Sequence, residues 1–337
     1  MGNSPAKTKY DRILVIRRDN IGDLVCTTPL LAAMRERFSR AWIGLLANSY
    51  NAPVLSGNPD VDEVYAYRKL KHVTAEAGAL STLADRVGLI WKLRHRKLDL
   101  VVLAAGAHDR RGAQFAKLLA PQRTLSSQPT AIGMHEVERT FSAARSLGIE
   151  GAIPPLKIVP DKSSLEKVRG GLERAGVSST RPLIGMHISA RRAAQRWPAR
   201  HFADLAIALH KKHGAAILLF WSPGVTGTAG HPGDDDKAAA ILEMVSNRAQ
   251  LIPWPTSELS DLIAGLAACN IVICSDGGAM HVAAALGKPI LCFFGDSPVD
   301  RWRPWGVRHI VVRAQSGNVA DISVEETLLL ASQLLGT

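Results

Sequence analysis

The segment 275–281 places a carboxylate, two glycines and an imidazole within seven residues. It reads Ser-Asp-Gly-Gly-Ala-Met-His and lies between an apolar strand-like run and an alanine-rich helical run. A strand that turns on glycines into a helix presents free backbone N–H groups and the positive end of the helix dipole. This pattern predicts a diphosphate site, although a tight connection without a ligand would use the same residue types.

A second candidate, Asp23, lies where the strand-like run 12–16 turns through Asn20 and Gly22 into a helical pattern, 23–38. A carboxylate at the mouth of a ligand site could accept a proton from an attacking hydroxyl, which is the role of a general base. A carboxylate in this position also caps a helix N-terminus. The residues alone leave both interpretations open.

Strands and helices alternate along the chain, which predicts parallel sheets. In the first half the predicted strands are 12–16, 42–46, 61–65 and 98–103, and the predicted helices are 23–38, 77–95, 110–119 and 135–147. A proline-bearing stretch, 151–155, interrupts the pattern as a linker would. Beyond it the predicted strands are 183–187, 216–221, 271–274 and 290–294, and the predicted helices are 162–175, 200–212, 236–247, 257–267 and 279–286. The pattern predicts two doubly wound halves with ligands at the carboxyl ends of their strands.

The 337-residue chain has the length and composition of a globular protein with two domains. No apolar run approaches the roughly 18 to 20 residues that a membrane span needs, and residues 1–7 lack the apolar core of a signal peptide. We therefore expect a cytoplasmic protein. The cysteines have no metal-type spacing and are expected to be reduced thiols in the core: Cys26, Cys269, Cys274 and Cys292.

The net charge of +11 is concentrated in the first half of the chain. Residues 1–160 hold 23 Lys and Arg against 14 Asp and Glu, whereas residues 161–337 hold 18 against 16. Such a field favours an acidic partner, although charge that serves only solubility would look the same. The basic residues are scattered and few aromatic residues accompany them, so nucleic acid is not the expected partner.

A basic amphipathic helix end, 88–97, carries Trp91. Cations near a helix C-terminus complement its dipole, and this is the simpler interpretation. The alternative is a face that lies on an anionic membrane surface through Arg94, Arg96 and Lys97.

Two acidic clusters superficially resemble metal sites. Asp60 and Asp62 lie in a proline-containing turn, and three aspartates end a glycine-rich loop, 222–236. A turn explains the first cluster and a helix N-cap explains the second, so we expect no metal at either.

Four segments of the chain resemble glycosyltransferase family 9, the ADP-heptose:lipopolysaccharide heptosyltransferases. The first, 12–31, reads RILVIRRDNIGDLVCTTPLL, and the last, 275–286, reads SDGGAMHVAAAL. Between them, the segments 58–64 and 196–198 resemble further blocks of the family in the same order. The resemblance covers nearly the whole chain.

The resemblance implies an α/β fold of GT-B architecture, in which two Rossmann-like doubly wound parallel-sheet domains face a central cleft. Residues 1–155 would bind the acceptor and residues 156–337 the nucleotide sugar. The implied activity is an inverting, metal-independent transfer of a heptose from ADP-heptose to a hydroxyl of the lipopolysaccharide inner core, without a cofactor. Because that acceptor is a lipid-anchored saccharide, peripheral contact with the cytoplasmic face of the inner membrane is a further expectation.

By the same resemblance Asp23 is the catalytic base. The residues implied in donor binding are Ser189, Gln195, Arg196, Asp276, Gly277, Gly278, Ala279, Met280 and His281. The candidates for acceptor binding follow the predicted strands of the first half: Asn20, Gly22, Arg110 and Arg111, with His108 beside them. His281 could instead be an ordinary buried helix residue. Glu258 or Asp261 could bond ribose hydroxyls or supply negative charge at a helix N-terminus.

Two positions depart from the family pattern. Gly277 stands where the family has a hydroxyl residue, and Gln195 stands where many members have a lysine. Arg196, or the preceding Arg191 and Arg192, could supply the missing cation, since a guanidinium is a competent diphosphate partner. Another donor, such as a UDP-activated hexosamine, is therefore the alternative within this fold. An epimerase acting on free nucleotide sugar would use the same two halves without an acceptor.

Overall fold

The computed structural model describes residues 10–67, 79–106, 109–129, 131–225 and 233–336. The chain divides into two compact units, Met1–Pro155 and Leu156–Thr337. The N-terminal segment, His108, part of the glycine-rich loop and the first two residues of the helix predicted at 77–95 lie outside the described residues. Within the described ranges, no helix is long and apolar enough to cross a membrane.

The first unit is built on a parallel sheet. Its strands are β1 (Arg12–Ile16), β2 (Trp42–Asn48), β3 (Glu63–Tyr67), β4 (Leu100–Leu103) and β5 (Arg123–Ser126). They pair in the order β3-β2-β1-β4-β5, with Ile13 of β1 opposite Ile43 and Leu100. The helices are α1 (Ile21–Val25), α2 (Thr28–Arg37), α3 (Ala79–His95), α4 (Arg110–Leu119) and α5 (Glu136–Arg145). Residues 13–16 of β1 are all buried, as expected of a parallel strand covered on both faces.

The single helix predicted at 23–38 is wrong, because the structure has two helices there, α1 and α2. Pro29 is in the first turn of α2. Proline has no N–H to donate, and in a continuous helix its ring would clash with the carbonyl group of Val25. In a first turn the N–H groups have no intrahelical partner, so proline is tolerated. The break leaves Asp23 in a helix of only five residues.

The second unit is also a parallel α/β domain. Its strands are β6 (Leu183–His187), β7 (Ala216–Trp221), β8 (Leu251–Pro255), β9 (Ile271–Ser275), β10 (Ile290–Phe294) and β11 (His309–Arg313). They pair in the order β11-β10-β9-β6-β7-β8. The helices are α6 (Lys162–Arg174), α7 (Ala199–His213), α8 (Asp235–Val245), α9 (Leu259–Ala268), α10 (Gly278–Ala285), α11 (Val299–Trp302) and α12 (Val324–Leu335).

Strands β5, β8 and β11 and helices α11 and α12 are absent from the sequence prediction. In β8 the cause is visible, because Pro253 and Pro255 break the strand signal. Both prolines are exposed, whereas Ile252 and Trp254 between them are buried. Strand β8 lies at the edge of the sheet. At an edge, a proline costs no ladder hydrogen bond if its backbone nitrogen faces away from the neighbouring strand.

In each sheet, the direction in which successive strands are added reverses beside the first strand of the unit. The chain runs outward from β1 through β2 to β3 and then places β4 on the other side of β1. In the second unit it runs from β6 through β7 to β8 and then places β9 on the other side of β6. Ligands of open parallel sheets bind outside the carboxyl ends of the strands at such switch points. The loops after β1, β4, β6 and β9 are therefore the expected ligand sites.

Candidate active site

Asp23 lies beyond the carboxyl end of β1, at the switch point of the first sheet, and is 7% exposed. Its Oδ2 accepts hydrogen bonds from the backbone N–H of Asn20 at 3.1 Å and from the side-chain amide of Asn20 at 2.8 Å. Its Oδ1 accepts a hydrogen bond from the guanidinium of Arg17 at 2.6 Å. Asn20 is exposed, whereas Gly22 is buried within α1. Asp23 is thus not the N-cap of α1, which is Asn20, but the third residue of the helix and the second member of its capping box, and it also presents a carboxylate at the ligand edge.

The sequence analysis missed Arg17, which organises this edge of the sheet. Arg17 is 1% exposed and donates to the carbonyl oxygen of Ala104, after β4, and to Glu136 Oε1, both at 2.8 Å. Although burial opposes ionisation, the charges of Asp19, Asp23 and Glu136 raise the pKa of Arg17. The signal that could have found it is a charged residue directly after a wholly apolar central strand.

The two acceptor candidates of α4 lie beyond the carboxyl end of β4, which is the strand next to β1. Arg110 and Arg111 are the first residues of α4, and both are exposed. The helix N-cap, Asp109, accepts from the backbone N–H of Gly112 at 2.9 Å and pairs with Arg18 at 3.1 Å. Two exposed cations therefore lie at the ligand edge of the first sheet.

In the second unit, Asp276 follows β9 and forms a hydrogen-bonded triangle with Gln195 and Ser297. Gln195 Nε2 donates to Asp276 Oδ2 at 3.0 Å and to Ser297 Oγ at 2.9 Å. Burial raises the pKa of Asp276, against the hydrogen bonds from Ser297 and Gln195 and the charge of Arg192. The structure thus brings Gln195 and Asp276 together across the switch point. Ser297 has no counterpart in the sequence analysis.

Helix α10 begins directly after this aspartate, with Gly277 as its N-cap. The backbone of Gly277 has φ 166° and ψ −171°, which is an extended conformation that any residue adopts. Because glycine has no side chain, the N-terminus of α10 has no side-chain cap. Apart from the two adjoining residues, a Cβ added there would have a single neighbour within 4 Å, the carbonyl oxygen of Ser275 at 3.9 Å. Glycine is therefore not required by the backbone at this position.

The side chains that follow in α10 point inward. Ala279, Met280 and His281 are all buried. The His281 ring meets Trp302 edge to face, with ring centroids 5.9 Å apart. In this structure the segment therefore offers a ligand the backbone at the start of α10 rather than these three side chains.

The other donor candidates, Ser189 and Arg196, lie in the loop after β6, and their side chains form hydrogen bonds with backbone groups. Ser189 Oγ accepts from the backbone N–H of Ser222 at 2.9 Å. Arg196 donates to the carbonyl oxygen of Ala190 at 2.8 Å, and its Nη1 lies 3.3 Å from Asp234 Oδ1. The partners of the Arg196 guanidinium are therefore Ala190, in the β6 loop, and Asp234, before α8, rather than Asp276.

Two further cations lie near this loop. The side chain of Arg192 is 56% exposed and lies 3.5 Å from Asp296. Lys237, which the sequence analysis also missed, donates to the carbonyl oxygen of Ile188 at 2.9 Å. Burial lowers the pKa of Lys237 to about 8. Arg192 has the most exposed side chain of Arg192, Arg196 and Lys237, so its guanidinium is the one open to a ligand.

Two of the acidic candidates, Asp261 and Asp62, accept hydrogen bonds within the fold. Asp261 accepts from the backbone N–H of Glu258 at 3.3 Å in the capping box of α9 and from Lys167 at 2.6 Å, which confirms the helix-terminal interpretation. Asp62 accepts from the backbone N–H of Ile43 at 2.6 Å and pairs with Arg35. Over the described ranges, no group of three or more His, Cys, Asp or Glu is arranged to hold a metal ion.

The chain matches the sequence model of glycosyltransferase family 9 (heptosyltransferase) over residues 100–331. The chain belongs to glycosyltransferase family 9. It is 28% identical to lipopolysaccharide heptosyltransferase 2 of Salmonella typhimurium, over 91% of this chain and 89% of that protein. The predicted family is confirmed, and the chain is a glycosyltransferase.

Solved structures of similar proteins share the fold of this family 9 chain. The crystal structure of a glycosyl transferase family 9 protein from Veillonella parvula has a TM-score of 0.84 at 21% identity, with 98% of both chains covered. The structure of the E. coli heptosyltransferase WaaC with ADP has a TM-score of 0.75 at 19% identity, with 96% of this chain and 99% of that chain covered. Together with the two parallel-sheet units, this likeness confirms the predicted GT-B fold class.

Proposed function

We propose that this family 9 chain moves a heptose from ADP-heptose to a hydroxyl of the lipopolysaccharide inner core, in the cytoplasm. The observation that carries the proposal is the family match, whose description is heptosyltransferase. The Salmonella relative is named a lipopolysaccharide heptosyltransferase, and the E. coli structure of similar fold was solved with ADP. The first unit would bind the acceptor and the second unit the nucleotide sugar.

The proposed chemistry is general-base catalysis by Asp23. Its carboxylate takes the proton of the acceptor hydroxyl, and that oxygen forms the new bond to the anomeric carbon. The bond between this carbon and the diphosphate oxygen breaks at the same time, so the configuration inverts and ADP departs. A carboxylate has about four lone-pair positions, so Oδ1, which accepts one hydrogen bond from Arg17, retains room for the hydroxyl.

The departing diphosphate gains negative charge, which fixed donors and cations must stabilise. We propose that the backbone N–H groups at the start of α10 and the guanidinium of Arg192 supply this stabilisation. Helix α10 directs the positive end of its dipole toward the ligand edge of β9. Many members of the family have a lysine at the position of Gln195. Gln195 is neutral and donates to Asp276 and Ser297, so Arg192 would supply the positive charge instead.

The deciding experiment combines donor binding with transfer. Thermal unfolding with ADP, UDP, GDP and CMP at matched excess comes first, since a ligand at about 100 times its Kd adds roughly 2.7 kcal/mol of stability. We expect selective stabilisation by ADP, followed by ADP release that requires a lipopolysaccharide acceptor lacking heptose. Stabilisation by UDP alone would favour the UDP-hexosamine alternative. Turnover of the nucleotide sugar without any acceptor would instead indicate an epimerase.

We also propose that the first unit contacts the membrane that carries the acceptor. Among the described side chains of α3 and α4, three large apolar ones are more than half exposed: Val87 (58%), Trp91 (64%) and Leu118 (52%). Arg94 joins the two helices by donating to the carbonyl oxygen of Leu118 at 3.0 Å, and Lys97 is exposed beside it. Exposed apolar side chains among cations suit an anionic lipid surface.

Arg96 does not belong to this surface, although the sequence analysis grouped it with Arg94 and Lys97. Its guanidinium donates to Glu63 at 2.6 Å and lies 4.1 Å from the ring centroid of Trp42. The test variant therefore combines Arg94→Glu with Lys97→Glu, and the matched control combines Arg169→Glu with Arg174→Glu, two exposed positions on α6 of the second unit. Each cation near an anionic surface contributes about 1 kcal/mol, so the double variant should bind phosphatidylglycerol vesicles at least roughly tenfold more weakly. Equal vesicle binding by both variants would refute the contact.

A further inference from the structure

Asp23 is one member of a buried cluster of charged side chains. Glu136, the first residue of α5, accepts from Arg17 at 2.8 Å and from Arg139 Nε at 2.9 Å, with a second, shorter contact to Arg139 Nη2. Arg139 Nη1 also donates to the carbonyl oxygen of Ala105 at 3.1 Å. Arg17, Glu136 and Arg139 are at most 1% exposed. One atom, Arg17 Nη2, therefore donates to two carboxylates, one of them that of the proposed base.

The ionisation of Glu136 is settled by its neighbours. Burial opposes the charge, but the hydrogen bond from Arg139 and the charge of Arg17 lower the pKa of Glu136 to about 2. Glu136 is therefore ionised at neutral pH and shares Arg17 with Asp23.

Other titratable groups face Asp23 from the elements around it. Asp19, from the loop after β1, lies 3.3 Å from Arg17 Nε. Cys26, at the end of α1, is buried, and burial raises its pKa. Burial also raises the pKa of Asp19, with the charges of Asp23 and Asp109 adding to the effect and Arg17 opposing it. Asp109 is paired with Arg18. Arg17 is thus the cation that directly bonds the Asp23 carboxylate.

A carboxylate beside an unshared guanidinium is a weak base, because an opposite charge within about 4–6 Å lowers its pKa by about 1–3 units. The same guanidinium fixes the direction of the carboxylate, which a general base requires. These two effects conflict unless a second anion balances the cation. Glu136 is placed to do so, because it accepts from the same Nη2 atom of Arg17 that binds Asp23.

We propose that Arg17 and Glu136 are positioning residues for the transfer reaction. Arg17 holds the Asp23 carboxylate in place through Oδ1, and Glu136 preserves the basicity of Asp23 by sharing the charge of Arg17. This inference rests on the proposed function of Asp23 as the base that accepts the hydroxyl proton.

The test measures the pH dependence of kcat with saturating donor and acceptor for two substitutions that act in opposite directions. Glu136→Gln removes the balancing anion, so the acidic limb of the profile should move to lower pH by about one unit, with a several-fold lower kcat. Arg17→Gln removes the cation, so the acidic limb should move to higher pH. Arg139 remains as a partner of Glu136 in that variant.

A purely structural role would lower the active fraction at every pH and shift neither limb. The matched control is Asp99→Asn, which disturbs another carboxylate of the first unit that binds an arginine, Arg12, and also Gln122. Its limb should coincide with that of the wild type. Should Glu136→Gln not fold, as judged by circular dichroism, Glu136→Asp should move the limb in the same direction by a smaller amount.

The outcomes separate this inference from the proposed function. Coincident acidic limbs for all variants, with an inactive Asp23→Asn enzyme, would overturn the positioning role and leave Asp23 as the base. An Asp23→Asn enzyme with wild-type kcat would overturn the role of Asp23 as the base, on which this inference rests. ADP affinity should be unchanged in every variant of the first unit, because the proposed donor site lies in the second.

Discussion

Replacing Gly277 by serine should stabilise the second unit and strengthen the binding of ADP. The extended backbone of Gly277 accepts any residue, and apart from the two adjoining residues an added Cβ would have only the carbonyl oxygen of Ser275 within 4 Å, at 3.9 Å. A serine therefore enters without strain. As the N-cap of α10, its Oγ can accept from the backbone N–H of Ala279 or Met280, which are two and three positions further on.

The size of the stabilisation follows from two contributions. Replacing a glycine where the backbone is compatible stabilises by about 0.4–1 kcal/mol, because the unfolded chain loses freedom. A serine N-cap adds a few tenths of a kcal/mol over glycine, which brings the total to about 1 kcal/mol. For a unit of this size, that raises Tm by roughly 2–4 °C. The matched control, Gly277→Ala, restricts the unfolded chain in the same way but is a poorer N-cap than glycine, so the two effects roughly cancel and its Tm should be close to that of the wild type.

The effect on ADP comes from the hydroxyl hydrogen. A serine that accepts from the helix still has its O–H to donate to a phosphate oxygen. A hydrogen bond to a charged group contributes about 1.5–3 kcal/mol, so calorimetry should show ADP bound at least roughly tenfold more tightly by the serine variant than by the alanine variant. Equal Tm values for the two variants would refute the capping geometry. Equal ADP affinities would refute the placement of the diphosphate at this turn.

Two further results are expected. Asp23→Asn should lower kcat by roughly 10²–10⁴-fold with ADP affinity unchanged, because an amide cannot act as the base; steady-state rates and calorimetry measure both quantities. Burial, with the charge of Lys237, lowers the pKa of His187 to about 4, so the stability that the neutral ring provides above pH 6.5 is lost as pH falls toward 4. His187→Asn should remove about 2–3 kcal/mol of that loss, measured as the difference in the free energy of unfolding in urea between pH 7 and pH 4.5. If this difference is the same in the variant and the wild type, the ring is protonated as easily in the folded as in the unfolded chain.

Local pattern was sufficient for much of the fold. Residues 13–16 of β1, 183–186 of β6 and all of β10 are continuous apolar runs, because helices cover both faces of a parallel sheet, and such runs are visible in the sequence. The pattern was insufficient at the sheet edges. Strand β8 carries two prolines and β5 has no buried residue, so neither has the apolar signal of a central strand.

The candidate site divides in the same way. The turn from β9 into α10 is made of consecutive residues, so its glycines and its N–H groups were predictable from spacing alone. The partners of the key carboxylates were not. Arg17 meets Glu136 across 119 positions of the chain, and Gln195 meets Ser297 across 102.

By itself, the sequence determined the family, the alternation of strand and helix, and the residues Asp23 and Asp276 at strand ends. Only the tertiary structure decided what those carboxylates bind. Hydrophobic periodicity reports which face of an element is buried, and it is a local property of the chain. The choice of partner for a buried charge depends instead on which loops, distant in sequence, come together at the switch point of the sheet. Burial makes that choice energetically decisive, because an unpaired charge in the interior is costly. The position of Arg17 directly after an apolar strand could mark it as unusual, but its partners, Asp23 and Glu136, became visible only in the folded chain.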